Sequence, residues 1–167
     1  AAFRSKKQHF VPNRLFPSGW SDMVKGGKYP VPAFAGDAGR GGNTVKLAVC
    51  ASFMQSDLWQ ERLSRAACGA ALEFDEFYDP DAVRAAPVFR YAAAVAALGG
   101  AQGLETVHAI RERSASVPLL WISDDAGFAL SAYELGAEMF LTWDCSDAEL
   151  TAALRRCGVL PGREAAG

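Results

Sequence analysis

From Lys46 onward, short apolar runs alternate with longer stretches whose apolar residues recur at helical spacing. Residues 47–51 (LAVCA) are unbroken apolar, which predicts a strand covered on both faces. Asp57, with Gln60 three residues on, predicts a capping box. Leu58, Trp59, Leu63, Ala66 and Ala67 give the following helix its apolar face, and Gly69 suits the turn that ends it. Residues 70–77 predict a second strand with Leu72, Phe74 and Glu76 on one face. Asp79-Pro80 is a helix start, a capping carboxylate followed by proline at the first helical position. That helix ends before Pro87.

Residues 89–98 (FRYAAAVAAL) are ambiguous on local grounds, because alanine is a weak strand former. The alternation on either side favours a strand over a helix. Gly103 then opens a helix with Leu104, Val107 and Ile110 facing the core. Residues 118–122 predict a fourth strand, and Asp124 or Asp125 caps a helix carrying Phe128, Ala132 and Leu135. Residues 139–142 belong to a fifth strand. Ser146 and Glu149 form a capping box ahead of Leu150 and Leu154, and Gly158 and Pro161 stop that last helix. Five β/α units in succession predict an open parallel α/β sheet with helices on both faces. The strand order expected is the flavodoxin-like 2-1-3-4-5, a (βα)5 three-layer sandwich.

Composition supports a real core: half of the 167 residues are hydrophobic and 22% are charged. No apolar run approaches the roughly 18 residues of a membrane span. The first residues (AAFRSKKQHF) lack the apolar centre of a secretion signal, so a cytoplasmic location is expected. The four cysteines form no CxxC pair, and His9 and His108 are isolated, so neither a metal site nor a cofactor is expected.

Charge is divided unevenly. Residues 1–45 hold seven Lys/Arg against two Asp/Glu, whereas the remainder holds ten against seventeen. Residues 1–45 also carry four of the eight prolines and seven of the sixteen glycines, which predicts an irregular arm. Its Phe3, Phe10, Leu15, Phe16, Trp20, Tyr29 and Phe34 are suited to packing on a domain or a partner. Nucleic acid is an expected partner only through this basic arm. Residues 36–44 (GDAGRGGNT) have P-loop-like glycine spacing but lack the lysine, and a strand follows where a helix is required. The chain thus reads as an arm (1–45), an α/β domain (46–158) and a tail (159–167).

Two segments carry a family resemblance. Residues 47–64 (LAVCASFMQSDLWQERLS) look like the first β/α unit of response-regulator receiver domains of the LytTR-type branch. Residues 123–141 (SDDAGFALSAYELGAEMFL) align to the same branch without gaps. The resemblance implies a chemotaxis-type receiver fold in two-component signalling. It implies five active-site correspondences. The acidic pair after the first strand falls on Ala51 and Ser52. The phosphoacceptor aspartate falls on Ala97, or on Val95 if the following loop is not shortened. The Thr/Ser after the fourth strand is retained as Ser123. The lysine near the end of the fifth strand falls on Trp143, and the proline after it on Asp144.

Aspartyl phosphorylation needs a nucleophilic carboxylate, acidic ligands for Mg²⁺ and a fixed cation opposite the transferring group. Ala51, Ser52, Ala97 and Trp143 supply none of these, and Ser123 alone cannot carry the reaction. The expectation is a degenerate, non-enzymatic pseudo-receiver. It would bind a protein partner, or a second copy of itself, through the fourth helix, fifth strand and fifth helix. Phe128, Tyr133, the switch-position Phe140 and Arg155 lie on that face. Because the chain ends shortly after the last helix, no LytTR-type DNA-binding domain is expected to follow. The competing expectation is a small-ligand site lined by Ser52, Ser123 and Gly99-Gly100 above the sheet edge. A phosphoacceptor at an unexpected aspartate is a third; Asp124, Asp125 and Asp144 lie near the same edge as a conceivable metal site, but capping and solvation explain them more simply.

Overall fold

The computed structural model describes residues 44–162. The basic arm and the P-loop-like spacing fall almost wholly outside the described residues, as does most of the tail. Within them the chain forms β1 (Val45–Ala51), α1 (Ser56–Ala66), β2 (Leu72–Phe77), α2 (Pro80–Ala85) and β3 (Ala93–Ala97). It continues through α3 (Gly100–Arg113), β4 (Leu119–Ser123), α4 (Ala129–Glu134), β5 (Met139–Thr142) and α5 (Asp147–Arg156). All neighbouring strands are parallel, and their order is β2-β1-β3-β4-β5. This is the flavodoxin-like arrangement expected from the alternation of elements.

The period of two along each strand divides the core. Leu47, Val49 and Ala51 of β1, Ala93, Val95 and Ala97 of β3, and Leu120 and Ile122 of β4 face Trp59 and Leu63 of α1 and Leu150 and Leu154 of α5. Ala48, Cys50, Ala94, Ala96, Leu119 and Trp121 face the other way, against Val83 of α2 and Val107 and Ile110 of α3. The alanine-rich β3 is the central strand of the sheet and is buried along its whole length. Tertiary context thus overrides alanine's weak strand propensity. The strand is nevertheless shorter than predicted. Phe89 and Tyr91 lie ahead of it and stack with Phe77, at centroid separations of 5.8 and 6.1 Å.

Several local expectations are corrected. Asp57 does not cap α1; the helix begins two residues earlier than such a cap would place it, at Ser56, with Gln55 at the cap position and no side-chain cap. Gln60 instead donates to Ser56 Oγ at 3.1 Å and to Glu76 on β2. Leu58 is not on the apolar face but half exposed, because Trp59 and Leu63 fix the rotation of the helix. Gly103 does not open α3. The helix starts at Gly100, and Gly103 is buried one turn in, where a Cβ would stand 2.0 Å from the Leu98 carbonyl oxygen.

Other starts and stops hold. Asp79 accepts from the Ala82 amide at 2.7 Å, with Pro80 at the first turn of α2. Ser146 and Glu149 form a complete capping box on α5. Gly69 and Gly158 close helices in the left-handed region, at φ of 93° and 72°.

Candidate functional site

In a parallel sheet the C-terminal ends of the strands, and the loops leaving them, form the edge where sites are built. Here that edge is made by Ala51, Phe77, Ala97, Ser123 and Thr142. Ala51 and Ala97 are direct register partners and are completely buried. Trp143, just past β5, is half-buried and packs against the same core cluster that contains them. Its backbone N–H donates to the Ser123 carbonyl at 3.0 Å, which ties the end of β5 to the end of β4. Ala51 and Ala97 are thus members of one apolar core cluster, and Trp143 packs on that cluster from the end of β5. Val95 lies in the middle of β3, paired with Val49 and Leu120, away from the edge.

The polar members are occupied locally. Ser52 uses its carbonyl to accept from Gln55 and Ser56 at 2.9 Å, starting α1, and its hydroxyl reaches Gln55 Oε1 at 3.3 Å. Ser123 is fully buried, and its hydroxyl accepts from the Asp125 amide at 3.2 Å. Asp125 in turn caps the short 3-10 turn Ala126–Phe128 by accepting from Gly127 at 2.7 Å. Asp124 has a different task. Its Oδ1 accepts from the Gly100 amide at 2.9 Å, at the start of α3. A Cβ on Gly99 would lie 2.8 Å from that carboxylate, so a larger residue there would require the Asp124 side chain to move. Ser52 thus bonds within the first turn of α1, whereas Ser123 and Gly100 each bond to the Asp124-Asp125 pair. Asp144 accepts from the Thr142 hydroxyl. Among the described residues no cluster of His, Cys, Asp or Glu is arranged to hold a metal ion.

Arg62 was not singled out by sequence, and it organises this edge. Its guanidinium stacks 4.8 Å from the centre of the Trp59 ring. It donates to the carbonyls of Trp143, at 3.3 Å, and of Cys145, and it lies 3.9 Å from Asp147. It thereby fixes the loop between β5 and α5 to α1. Cys145 lies beneath it, 3.7 Å from the guanidinium, with burial raising the thiol above its ordinary pKa. Burial has the same effect on Cys157, pushed up to about 12, so neither is poised as a thiolate. All four cysteines are free, with only Cys68 exposed.

The predicted interaction face is divided by the structure. Phe128 and Phe140 are half-buried and pack on the fully buried Trp121, with ring centroids 5.6 and 5.7 Å apart. Trp121 and Phe140 are register partners, so the three rings close the α4 end of the sheet from within. Tyr133 stands 82% exposed and Leu130 68% exposed on α4. Arg155 is exposed near the end of α5. Arg111 holds this region to α3 by donating to the carbonyls of Val117, Leu135 and Gly136 at 2.7–2.8 Å. Trp121 could have been noticed in its apolar run; Arg62 and Arg111 carry little local signal, because all their partners but the Trp59 ring and the Val117 carbonyl lie more than 20 residues away.

Among the described residues, no helix is long and apolar enough to cross a membrane. No family model matches the chain, and no curated protein sequence matches it. Solved structures do. A LuxR-family two-component response regulator from Aurantimonas sp. SI85-9A1 is 22% identical with a TM-score of 0.57, over 71% of this chain and 88% of that one. A CheY-like response regulator from Mesorhizobium loti is 21% identical with a TM-score of 0.55, over 69% of this chain and 99% of its own. A putative CpaE2 pilus assembly protein from Sinorhizobium meliloti 1021 is 17% identical with a TM-score of 0.52, over 68% and 99%. The fold of this domain is that of the response-regulator receiver domains.

Proposed function

We propose that residues 46–158 are a receiver-like module that accepts no phosphoryl group and acts through protein contacts in bacterial signal transduction or transcriptional regulation. One observation carries the reading: Ala51 and Ala97 are paired, fully buried alanines at the strand ends, and Trp143 packs on the same cluster. An aspartyl phosphate would need carboxylates and a cation at those places. The apolar replacements avoid the cost of burying charge and hold the edge in one packed arrangement. Trp121, Phe128 and Phe140 do the same for the switch position. Among the structures sharing the fold is one described as a pilus assembly protein, so the scaffold occurs under other descriptions than response regulator. The exposed Tyr133 and Leu130 on α4, with Arg155 on α5, are the contacts we assign to a protein partner or a second copy.

The test is incubation with acetyl phosphate and Mg²⁺ followed by intact-mass measurement. An unchanged mass is expected. A gain of one phosphoryl group mapping to an aspartate would overturn the reading and support the phosphoacceptor alternative.

A further inference from the structure

A second exposed apolar surface lies on the sheet edge, away from α4. In the turn between β1 and α1, Phe53 is 70% and Met54 86% exposed, and Leu58 on the first turn of α1 is 52% exposed. Tyr78, just after β2, packs edge-on against Phe53 with centroids 5.5 Å apart. None of the four is needed to fill the core under α1, which Trp59, Leu63 and Ala66 complete. Large apolar side chains that stand grouped in water mark a surface that a partner covers.

The charge around them says what kind of partner. The loops leaving the strand ends and the starts of the following helices, residues 52–61, 78–83, 98–110, 124–138 and 143–154, contain no Lys or Arg. Next to the apolar group, Glu76 accepts from the Tyr78 hydroxyl; burial first, then the Glu76 carboxylate and the charge of Asp57, push the tyrosine up to about 12. Asp79 follows directly, and beyond it Asp81 is paired with Arg84 at 3.2 Å. Arg62 and Arg65 on α1 turn the other way, toward Asp147 of α5. An apolar island in an acidic field complements a segment that is apolar and basic, since opposite potentials both speed and orient docking.

We propose that Phe53, Met54, Leu58 and Tyr78, with Glu76 and Asp57 near Tyr78 and Asp79 following it in the chain, form a docking surface for a basic, apolar-bearing polypeptide segment of a partner protein. This goes beyond the reading above, because it uses a different surface and is independent of whether a phosphoryl group is accepted. A fluorescein-labelled amphipathic helical peptide of leucine and lysine, titrated into the full chain, tests it by anisotropy. A matched peptide of leucine and glutamate is the control. The lysine peptide is expected to bind, with affinity falling at higher salt and at least tenfold in the F53S/M54S variant, while L130A/Y133A binds as the unaltered chain does. Unchanged unfolding midpoints keep the comparison valid, since all four altered side chains are exposed. Equal binding by F53S/M54S, equal binding of the glutamate peptide, or no binding of the lysine peptide would each overturn the proposal. So would self-association lost in F53S/M54S, which would make a second copy the occupant.

Discussion

The Trp143 backbone N–H donates to the Ser123 carbonyl at 3.0 Å, so the residue just past β5 is anchored by its main chain to the end of β4. The side chain is then free to pack rather than to pair. It lies on the apolar cluster that includes Ala51 and Ala97, and its indole nitrogen is buried without a hydrogen-bond partner. An unsatisfied buried donor costs stability, whereas the ring gains it by burial.

Trp143→Phe keeps the ring and removes the orphaned N–H, so unfolding in urea is expected to show stability unchanged or raised by up to about 1 kcal/mol. Trp143→Lys places an ammonium against an apolar cluster. It is expected to cost about 2–3 kcal/mol in the same measurement. Equal stability of the two variants would show that the indole contributes no packing at this edge.

Ala97→Asp tests the same region from below. A carboxylate introduced at a fully buried strand end is held in its neutral form, so its folded-state pKa lies above the unfolded value. The destabilisation, of the order of 3 kcal/mol at neutral pH, is therefore expected to shrink as pH falls toward the ordinary carboxylate range. Urea midpoints at pH 5 and pH 7.5 check the sign.

Gly103→Ala should invert the usual helix rule. Alanine in a helix interior is ordinarily better than glycine by about 1 kcal/mol. Here the added Cβ meets the Leu98 carbonyl oxygen at 2.0 Å, and backbone has to shift. A loss of roughly 2 kcal/mol or more is expected from thermal unfolding, since forced overpacking typically costs 1–3 kcal/mol.

Arg62→Ala releases the loop between β5 and α5 from α1. Amide exchange near Cys145 is expected to accelerate while the strands stay protected. Arg62→Lys is expected not to restore protection, because one ammonium cannot reproduce the planar fork that serves two carbonyls and the Trp59 face.

The α1–α5 contact carries a pH dependence. The Arg65 guanidinium, bonded at 2.6 Å, holds the Asp147 carboxyl below its ordinary range. A group with a depressed folded pKa contributes stability above its unfolded pKa and loses it as pH falls through the folded one. Acidification below about pH 4 is thus expected to weaken the fold. Asp147→Asn should flatten that part of the profile in urea unfolding measured from pH 2.5 to 6.

Much of the fold was legible because its determinants are local. Apolar runs of five residues announced the buried strands, and Asp79-Pro80 and Ser146 with Glu149 announced two helix starts by their own hydrogen bonding. The failures came where local signals met distant partners. Gln60 left the predicted capping box to bond Glu76, sixteen residues on, and Asp124 capped α3 from across the sheet edge rather than the helix that follows it. Leu58 looked like core by spacing, but the rotation that buries Trp59 and Leu63 leaves it in water.

The candidate site shows the same division. The identities of Ala51, Ser52, Ala97, Ser123 and Trp143, and hence the lack of groups for phosphoryl transfer at those positions, are properties of the sequence and its resemblance to receivers. That Ala51 pairs with Ala97, that Trp143 joins their cluster, and that Phe128 and Phe140 turn inward onto Trp121 were decided by tertiary structure alone. Parallel strands are joined through helices, so the residues that meet at a strand end are tens of positions apart, and only the packing of the sheet selects which of them touch.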